Sequence, residues 1–219
     1  QTADRSIAEQ LRLLKEAGLG TLPGTAAEIL DDRIRKYLCP DKIRTGQWAE
    51  VVKEAHRQGL RTTSTIMFGS IEGPQNWARH LEVLREIQAE TGGFTEFVPL
   101  PFVHMEAPMY RKGRARMGPT WDEVVKMHAV SRLALRGLID NIQVSWVKCG
   151  LDGCKLVLNA GANDLGGTLM NESISRAAGA AHGQEVTPEE MRATIRSIGR
   201  VPAQRSTTYQ ILEVFDQVA

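Results

Sequence analysis

The chain is predicted to be an α/β protein, part of a (β/α) barrel of the TIM type. Amphipathic helical segments alternate with short apolar runs along its 219 residues, a pattern typical of β/α units around a parallel sheet. About five parallel strands are expected, near Leu19, Leu60, Phe94, Asn141 and Leu165. Because a closed barrel needs eight, we expect its early strands to be missing. An open sheet of flavodoxin type is the alternative, disfavoured because no glycine-rich phosphate loop follows the first strand.

Capping residues, apolar spacing and glycine stops define the individual elements. Ser6 with Glu9, and Thr187 with Glu190, have the spacing of residues at helix starts. Strands are expected where short apolar or threonine-rich runs meet glycine. The predicted helices span residues 6–17, 45–58, 74–90, 120–135, 152–159 and 188–198, and the predicted strands span 19–22, 60–68, 94–102, 141–147 and 165–170.

Composition narrows the class of protein. Hydrophobic residues make up 42% and charged residues 24% of the chain, which is ordinary for a globular domain. With a net charge of +1, no general affinity for nucleic acid is expected, nor is a membrane partner, and no apolar run is long enough to cross a bilayer. Cys39, Cys149 and Cys154 form neither a disulfide framework nor a metal-binding pattern, which is typical of a reduced, cytoplasmic protein without metal ligands of its own.

The segment 161–179, GANDLGGTLMNESISRAAG, is the most informative stretch. Asn163, Asp164 and the glycines are expected in a strand-to-helix turn, residues 165–170 are apolar enough for a short buried strand, and Asn171 or Ser173 could cap the following helix. Such a turn suits the close approach of a hydroxylated or anionic ligand. An ordinary barrel turn is the alternative.

Other polar residues follow the predicted strands, where β/α folds place their chemistry. Glu28 and Arg33 follow the first strand, although they could instead be a helix-surface pair. Glu72 follows the second strand. His104 follows the third, with a structural role as the alternative. Trp146, at the end of the fourth, is a candidate for stacking on a planar ligand.

Five separated stretches together resemble a radical S-adenosylmethionine (SAM) family, FO synthase subunit 2. They are GTAAEILDDRIRKYLCPDKI (24–43), TSTIMFGSIE (63–72), ETGGFTEFVPLPFVHMEAP (90–108), NIQVSWVK (141–148) and NDLGGTLMNESISRAAGA (163–180). The resemblance covers about residues 5 to 209. Related menaquinone-pathway enzymes, which act on futalosine derivatives, share some of these features. A non-catalytic, nucleoside-binding chain is a further alternative.

The resemblance implies a radical SAM barrel, of which residues 1–219 would be the C-terminal part of one domain with its C-terminal extension. The implied enzyme is a transferase that joins the 4-hydroxybenzyl group of L-tyrosine to 5-amino-6-(D-ribitylamino)uracil in coenzyme F(420) biosynthesis. Its cofactors would be SAM and a 4Fe-4S cluster. The implied protein partner is FO synthase subunit 1 or a fused equivalent.

Two departures from the family pattern matter. The cluster-binding CxxxCxxC motif is absent, so the cluster ligands are expected upstream of this chain, and the chain alone is expected to be inactive. Ser70 stands where relatives commonly carry histidine, although a serine hydroxyl can still donate and accept a hydrogen bond.

The resemblance also implies roles for individual residues. Glu28 and Arg33 would meet the amino and carboxylate ends of SAM. The cofactor-binding set it implies is Glu28, Arg33, Thr65, Met67, Gly69 and Glu72. The substrate-binding set that we predict is Glu96, His104, Trp146, Asn163, Asn171 and Glu172.

Overall fold

The computed structural model describes residues 5–24, 27–169, 171–182 and 185–215. Its helices are α1 (Ile7–Glu16), α2 (Asp32–Leu38), α3 (Thr45–Arg57), α4 (Pro74–Thr91), α5 (Pro108–Arg111), α6 (Trp121–Ala134), α7 (Trp146–Asn159), α8 (Ile174–Ala177) and α9 (Pro188–Ser197). All the predicted helices are present, including the helix expected after Asn171 or Ser173, which is α8 with Ser173 at its N-cap position, and α2 and α5 are additional. At the start of α9 Thr187 and Glu190 form the expected capping box, and at the start of α1 the Ser6 hydroxyl accepts a hydrogen bond from the Glu9 amide.

A parallel sheet contains β1 (Thr21–Leu22), β2 (Arg61–Phe68) and β3 (Phe94–Pro101), in that order. Alternate residues of a strand face opposite sides. Phe68 packs edge-on against Trp77 of α4, with 5.7 Å between ring centroids, and so faces the helices. Thr65, Met67 and Glu96 therefore share the opposite face of the sheet.

The predicted fourth strand, 141–147, is present only as parallel bridges at Ile142 and Gln143. The Phe97 amide donates to the Asn141 carbonyl, so the amide positions of Pro99 and Pro101 also point toward this segment. Proline has no N–H to donate. The ladder therefore stops after Phe97, and α7 begins at residue 146, where a strand was expected.

The predicted fifth strand, 165–170, is wrong as a strand. A parallel bridge joins Gln143 to Asp164, one residue before the expected start, and 165–169 have no regular structure. Met170 lies outside the described residues. The five chain segments nevertheless follow one another in parallel order, which confirms an α/β fold with a parallel sheet, while the barrel stays a prediction.

An antiparallel hairpin of β4 (Ala203–Arg205) and β5 (Ile211–Val214) closes the described chain. It was not expected, because the side chains of β5 are all exposed and show no buried alternation. Within the described residues, no helix is long and apolar enough to cross a membrane.

Candidate functional site

A cleft of about 390 Å³ opens at the carboxyl ends of β2 and β3. We call it the first cleft. It combines a charged pair with thioether and aromatic walls, and its lining includes Glu28, Lys42, Met67, Phe102, Pro108 and Met109. Two of the predicted cofactor-binding residues, Glu28 and Met67, therefore lie in it together.

Glu28 is held in an unusual position. Its backbone φ is +47°, which is uncommon for a residue other than glycine, and its carbonyl accepts a hydrogen bond of 2.8 Å from the Met67 amide. The Glu28 carboxylate is paired with Lys42 Nζ at 2.5 Å. A carboxylate and an ammonium thus lie side by side in the lining of the first cleft, and Lys42 is not among the predicted site residues.

Arg33 is not in the first cleft. Its guanidinium is 74% exposed and makes two hydrogen bonds, of 3.0 and 2.6 Å, to the buried carboxylate of Asp31. These bonds, with one from Asn76, hold the pKa of Asp31 at about 2. The structure therefore does not bring Arg33 together with Glu28.

Glu72 shapes the loop that follows β2. Its buried carboxylate accepts hydrogen bonds from the amides of Gly69, Ser70 and Ile71, from the Ser70 hydroxyl at 2.6 Å and from the Trp77 indole at 3.0 Å. Burial by itself would raise the pKa of Glu72, but the hydrogen bonds outweigh it and lower that pKa below its ordinary value. Ser70, the departure from the family pattern, is thus one of the donors that hold Glu72.

Gly69 and Thr65 have backbone roles at the same end of the sheet. Gly69 has a φ of +95°, and a Cβ atom there would collide with Pro119. The Thr65 hydroxyl donates to the Gly24 carbonyl at 2.9 Å, and Thr63 Oγ1 accepts from the Gly24 amide at 2.8 Å. Gly69 and Thr65 thus fix the backbone of the loops around the first cleft.

A second cleft, of about 240 Å³, adjoins the first, and Phe102 lines both. We call it the second cleft. Its lining includes Phe102, His104, Met117, Trp121, Lys148 and His182. His104 was predicted to bind substrate, and its ring lies edge-on against Tyr110 with 4.6 Å between centroids. Aromatic and thioether walls with one ammonium group suit a planar ligand that carries an anion.

Lys148 also lines the second cleft, and it is not among the predicted site residues. Asp152, four residues on, would be its ordinary partner along a helix. Gly150, however, breaks α7 with non-helical angles (φ 65°, ψ 169°), and Asp152 pairs with Lys155 instead. A glycine between two residues at helix-pair spacing was the signal that could have exposed Lys148.

The predicted substrate residue Glu172 is linked to Lys148 of the second cleft through Ser175. Its carboxylate accepts from the Ser175 amide at 3.0 and 3.1 Å, and the Ser175 hydroxyl accepts from Lys148 Nζ at 3.0 Å. Asn171 lies just before α8 in a stretch without regular structure. The C-terminal part of the segment 161–179, which was expected to contact a ligand, therefore borders the second cleft.

Trp146 does not lie at a strand end. It begins α7, its ring is buried in the core, and its indole N–H donates to the Gly167 carbonyl at 3.0 Å. The ring is thus enclosed by protein and does not lie open for stacking.

Glu96 lies near the amino end of β3, paired in register with Thr63, whereas Met67 pairs with Leu100. Four residues of strand separate the two levels by about 13 Å. Tyr209 of the C-terminal hairpin donates to Glu96, and Arg205 binds Asp164 and lies 3.8 Å from Glu96. Burial raises the pKa of Glu96. The hairpin therefore covers Glu96 at the end of the sheet away from both clefts.

Asn163 also lies at that end, where its side chain joins two neighbouring segments. Its side-chain oxygen accepts from Arg132 at 2.7 Å and from the Ile142 amide at 2.8 Å, and its amide donates to the Asp140 carbonyl at 3.2 Å. These contacts join the segment at residue 163 to the neighbouring strand segment.

Within the described ranges, no group of three or more histidine, cysteine, aspartate or glutamate side chains is arranged to hold a metal ion. Cys39, Cys149 and Cys154 are free thiols. Burial raises the pKa of Cys149 to about 12 and also raises that of Cys154, so neither thiol readily forms the thiolate that ligates metals.

Comparison with known proteins agrees with the motifs. The chain is 54% identical over 213 residues to the 5-amino-6-(D-ribitylamino)uracil–L-tyrosine 4-hydroxyphenyl transferase of Methanothermobacter thermautotrophicus, covering 97% of this chain and 58% of the relative. It is 53% identical to the protein of the same name from Methanocaldococcus jannaschii, covering 97% and 59%. It is 54% identical over 206 residues to the FO synthase of Mycobacterium leprae, covering 94% of this chain and 24% of that protein.

The chain thus spans a little over half the length of the two archaeal transferases. The family described as the CofH/MqnC C-terminal region matches residues 91–218, more than half of the chain. This match includes β3, the second cleft and the C-terminal hairpin. The chain therefore belongs to the CofH/MqnC family, and the part of that family that it matches is the C-terminal region.

Proposed function

We propose that the protein carrying this chain is a radical SAM transferase that joins the 4-hydroxybenzyl group of L-tyrosine to 5-amino-6-(D-ribitylamino)uracil, in FO and coenzyme F(420) biosynthesis. The observation that carries this proposal is the 54% identity, over 97% of the chain, to a relative whose name states that transfer. The two adjoining clefts at the carboxyl ends of parallel strands support it, since the cofactor and its substrate must meet in one site.

The residues of the first cleft fit SAM. Glu28 and Lys42 offer an anion and a cation for the amino and carboxylate groups of its methionyl end, and Met67 and Phe102 offer apolar walls for the adenine. When bound to a reduced 4Fe-4S cluster, SAM supplies a 5′-deoxyadenosyl radical that can take a hydrogen atom from tyrosine. The described residues of this chain provide no ligand set for the cluster, so we place its cysteines in a part of the protein outside this chain.

The remaining cofactor residues are proposed on the resemblance. Thr65, Gly69 and Glu72 shape the loops beside the first cleft, which supports an indirect role in positioning the cofactor. Arg33 would reach the cofactor only by exchanging its bonds to Asp31.

Among the proposed substrate residues, His104, Asn171 and Glu172 are supported by their position in or beside the second cleft. The contacts of Glu96, Trp146 and Asn163 favour structural roles. The protein partner that we propose is FO synthase subunit 1 or a fused equivalent. The much greater length of the mycobacterial FO synthase supports a fused arrangement in that relative. A cytoplasmic location is proposed on the free thiols alone.

Product analysis tests this function. The full-length protein is incubated without oxygen with SAM, a reductant, L-tyrosine and ribitylaminouracil, and products are identified by mass spectrometry. We expect one adduct of the 4-hydroxybenzyl group with the uracil. Dehypoxanthine futalosine and aminofutalosine serve as competing substrates, because the matched family includes both CofH and MqnC. Consumption of a futalosine derivative without adduct formation would place the protein in the menaquinone pathway. Absence of any SAM cleavage would favour the non-catalytic alternative.

A further inference from the structure

The second cleft contains a cation, Lys148, that makes no direct ion pair with the described residues, although the charge of the nearby Glu172 carboxylate partly offsets the effect of burial on the pKa of Lys148. Lys148 is half-buried, and burial lowers its pKa. Within the described part of the chain, its one hydrogen bond goes to the neutral Ser175 hydroxyl, and it forms no ion pair. No aspartate or glutamate is among the described residues that line the cleft. A partly buried ammonium in such surroundings is stabilised by a bound anion.

Neighbouring groups hold the Lys148 ammonium in place. Ser175 accepts one of its three N–H bonds, and Glu172 fixes Ser175 through its backbone amide. The kink at Gly150 allows His182 to lie against the helix, because a Cβ atom at Gly150 would be 2.7 Å from the imidazole. Two N–H bonds of Lys148 remain for a ligand in the cleft.

We propose that Lys148 binds the carboxylate of L-tyrosine, while Phe102 and Trp121 flank the phenol ring. This assignment rests on the proposed function. It adds a substrate-binding residue for the amino acid and gives Glu172 and Ser175 a positioning role through Lys148.

The charges of the candidate ligands favour tyrosine. Ribitylaminouracil carries amide and hydroxyl groups but no carboxylate. SAM carries a carboxylate, but also an amine and a sulfonium, and these suit the first cleft, where Glu28 is beside Lys42. Of the three ligands, the aromatic one with a carboxylate matches an aromatic cleft that holds a cation.

Binding of tyrosine and tyramine to the full-length protein tests the proposal, because tyramine lacks only the carboxylate. Calorimetry on the wild type is compared with Lys148→Met and Lys148→Arg. The matched control is Lys155→Met, on the same helix, where the lysine pairs with the exposed Asp152. We expect Lys148→Met to weaken tyrosine binding about 10- to 100-fold, as for loss of a charged hydrogen bond. Tyramine binding should stay within about twofold, and Lys148→Arg should recover part of the affinity.

Three results would contradict the assignment. Lys148→Met could leave tyrosine binding unchanged, could weaken tyrosine and tyramine equally along with thermal stability, or could weaken SAM binding instead. Weaker SAM binding would mean that Lys148 binds the cofactor and not tyrosine. A wild-type protein that binds no tyrosine at all would overturn the proposed function itself, so the two failures are distinguishable.

Discussion

At the scale of single residues, the two buried carboxylates of Glu72 and Glu96 obtain their partners in different ways. Glu72 collects hydrogen bonds from its own loop, and Glu96 is covered by a tyrosine 113 positions later in the chain. The spacing of Gly69 and Glu72 reveals the first arrangement, because the contacts are local. No local pattern could reveal the second.

Replacing Glu72 by alanine should destabilise the protein by about 3 kcal/mol at pH 7, because several buried N–H groups would lose their acceptor. The lowered pKa of Glu72 means that its ionised form is favoured by folding. Its contribution is therefore present above the ordinary value of 4.5 and is lost as the pH falls through the lower folded value.

Denaturant unfolding of the full-length protein measures this effect. Glu82→Ala, at an exposed glutamate of α4 that pairs with Arg79, is the control and should change stability little. If the two variants were equally stable at pH 7, the loop would not depend on Glu72.

Arg33→Ala should weaken SAM binding in the full-length protein more than Arg114→Ala does. Arg33 is 74% exposed and lies outside the first cleft, so this prediction rests on the resemblance and requires Arg33 to exchange its bonds to Asp31 for the cofactor; Arg114 is an exposed loop residue to which the resemblance gives no role. The loss of a charged contact should cost about 1.5–3 kcal/mol of binding free energy. Equal affinities of the two variants, by equilibrium binding, would leave Arg33 only its observed role as the partner of Asp31.

At the scale of elements, two prolines decide how far the sheet extends. Apolar spacing predicts strands equally well at 94–102 and 141–147, but the ladder between them is cut short because Pro99 and Pro101 lack amide protons on that side. Propensity along one segment cannot show which neighbour its amides face. That information depends on the pairing of two strands.

Asn163 and Asn171 lie in one segment of the chain but in different surroundings, so their alanine variants form a matched pair. Asn163→Ala removes three internal hydrogen bonds at the amino end of the sheet, so we expect about 1 kcal/mol lower stability and a parallel loss of SAM cleavage and adduct. Asn171→Ala, beside the second cleft, should impair adduct formation while SAM cleavage continues.

The ratio of 5′-deoxyadenosine to adduct separates these outcomes. It should stay constant for Asn163→Ala and rise for Asn171→Ala. A rising ratio for Asn163→Ala, with unchanged stability, would instead support its predicted contact with substrate.

At the scale of the whole molecule, the sequence predicts more of the fold than of the site. The long helices and β2 and β3 have strong amphipathic or apolar patterns, and the structure confirms them. The first cleft could be anticipated in part, because strand ends and family motifs both indicate Glu28 and Met67. Lys42 and the C-terminal hairpin could not, since their importance depends on which distant side chains surround them, and for Lys148 the sequence offered only the signal of Gly150 between it and Asp152.

The central claim is that the two adjoining clefts form one site, with the cofactor in the first and tyrosine in the second. Hydrogen exchange of the full-length protein, with each ligand added separately, tests this claim most directly. SAM should slow exchange at residues 38–42 and 107–109, and tyrosine should slow it at 102–105 and 180–182. Protection by tyrosine around Glu96 and the hairpin at 203–214, with no change at the second cleft, would contradict the account.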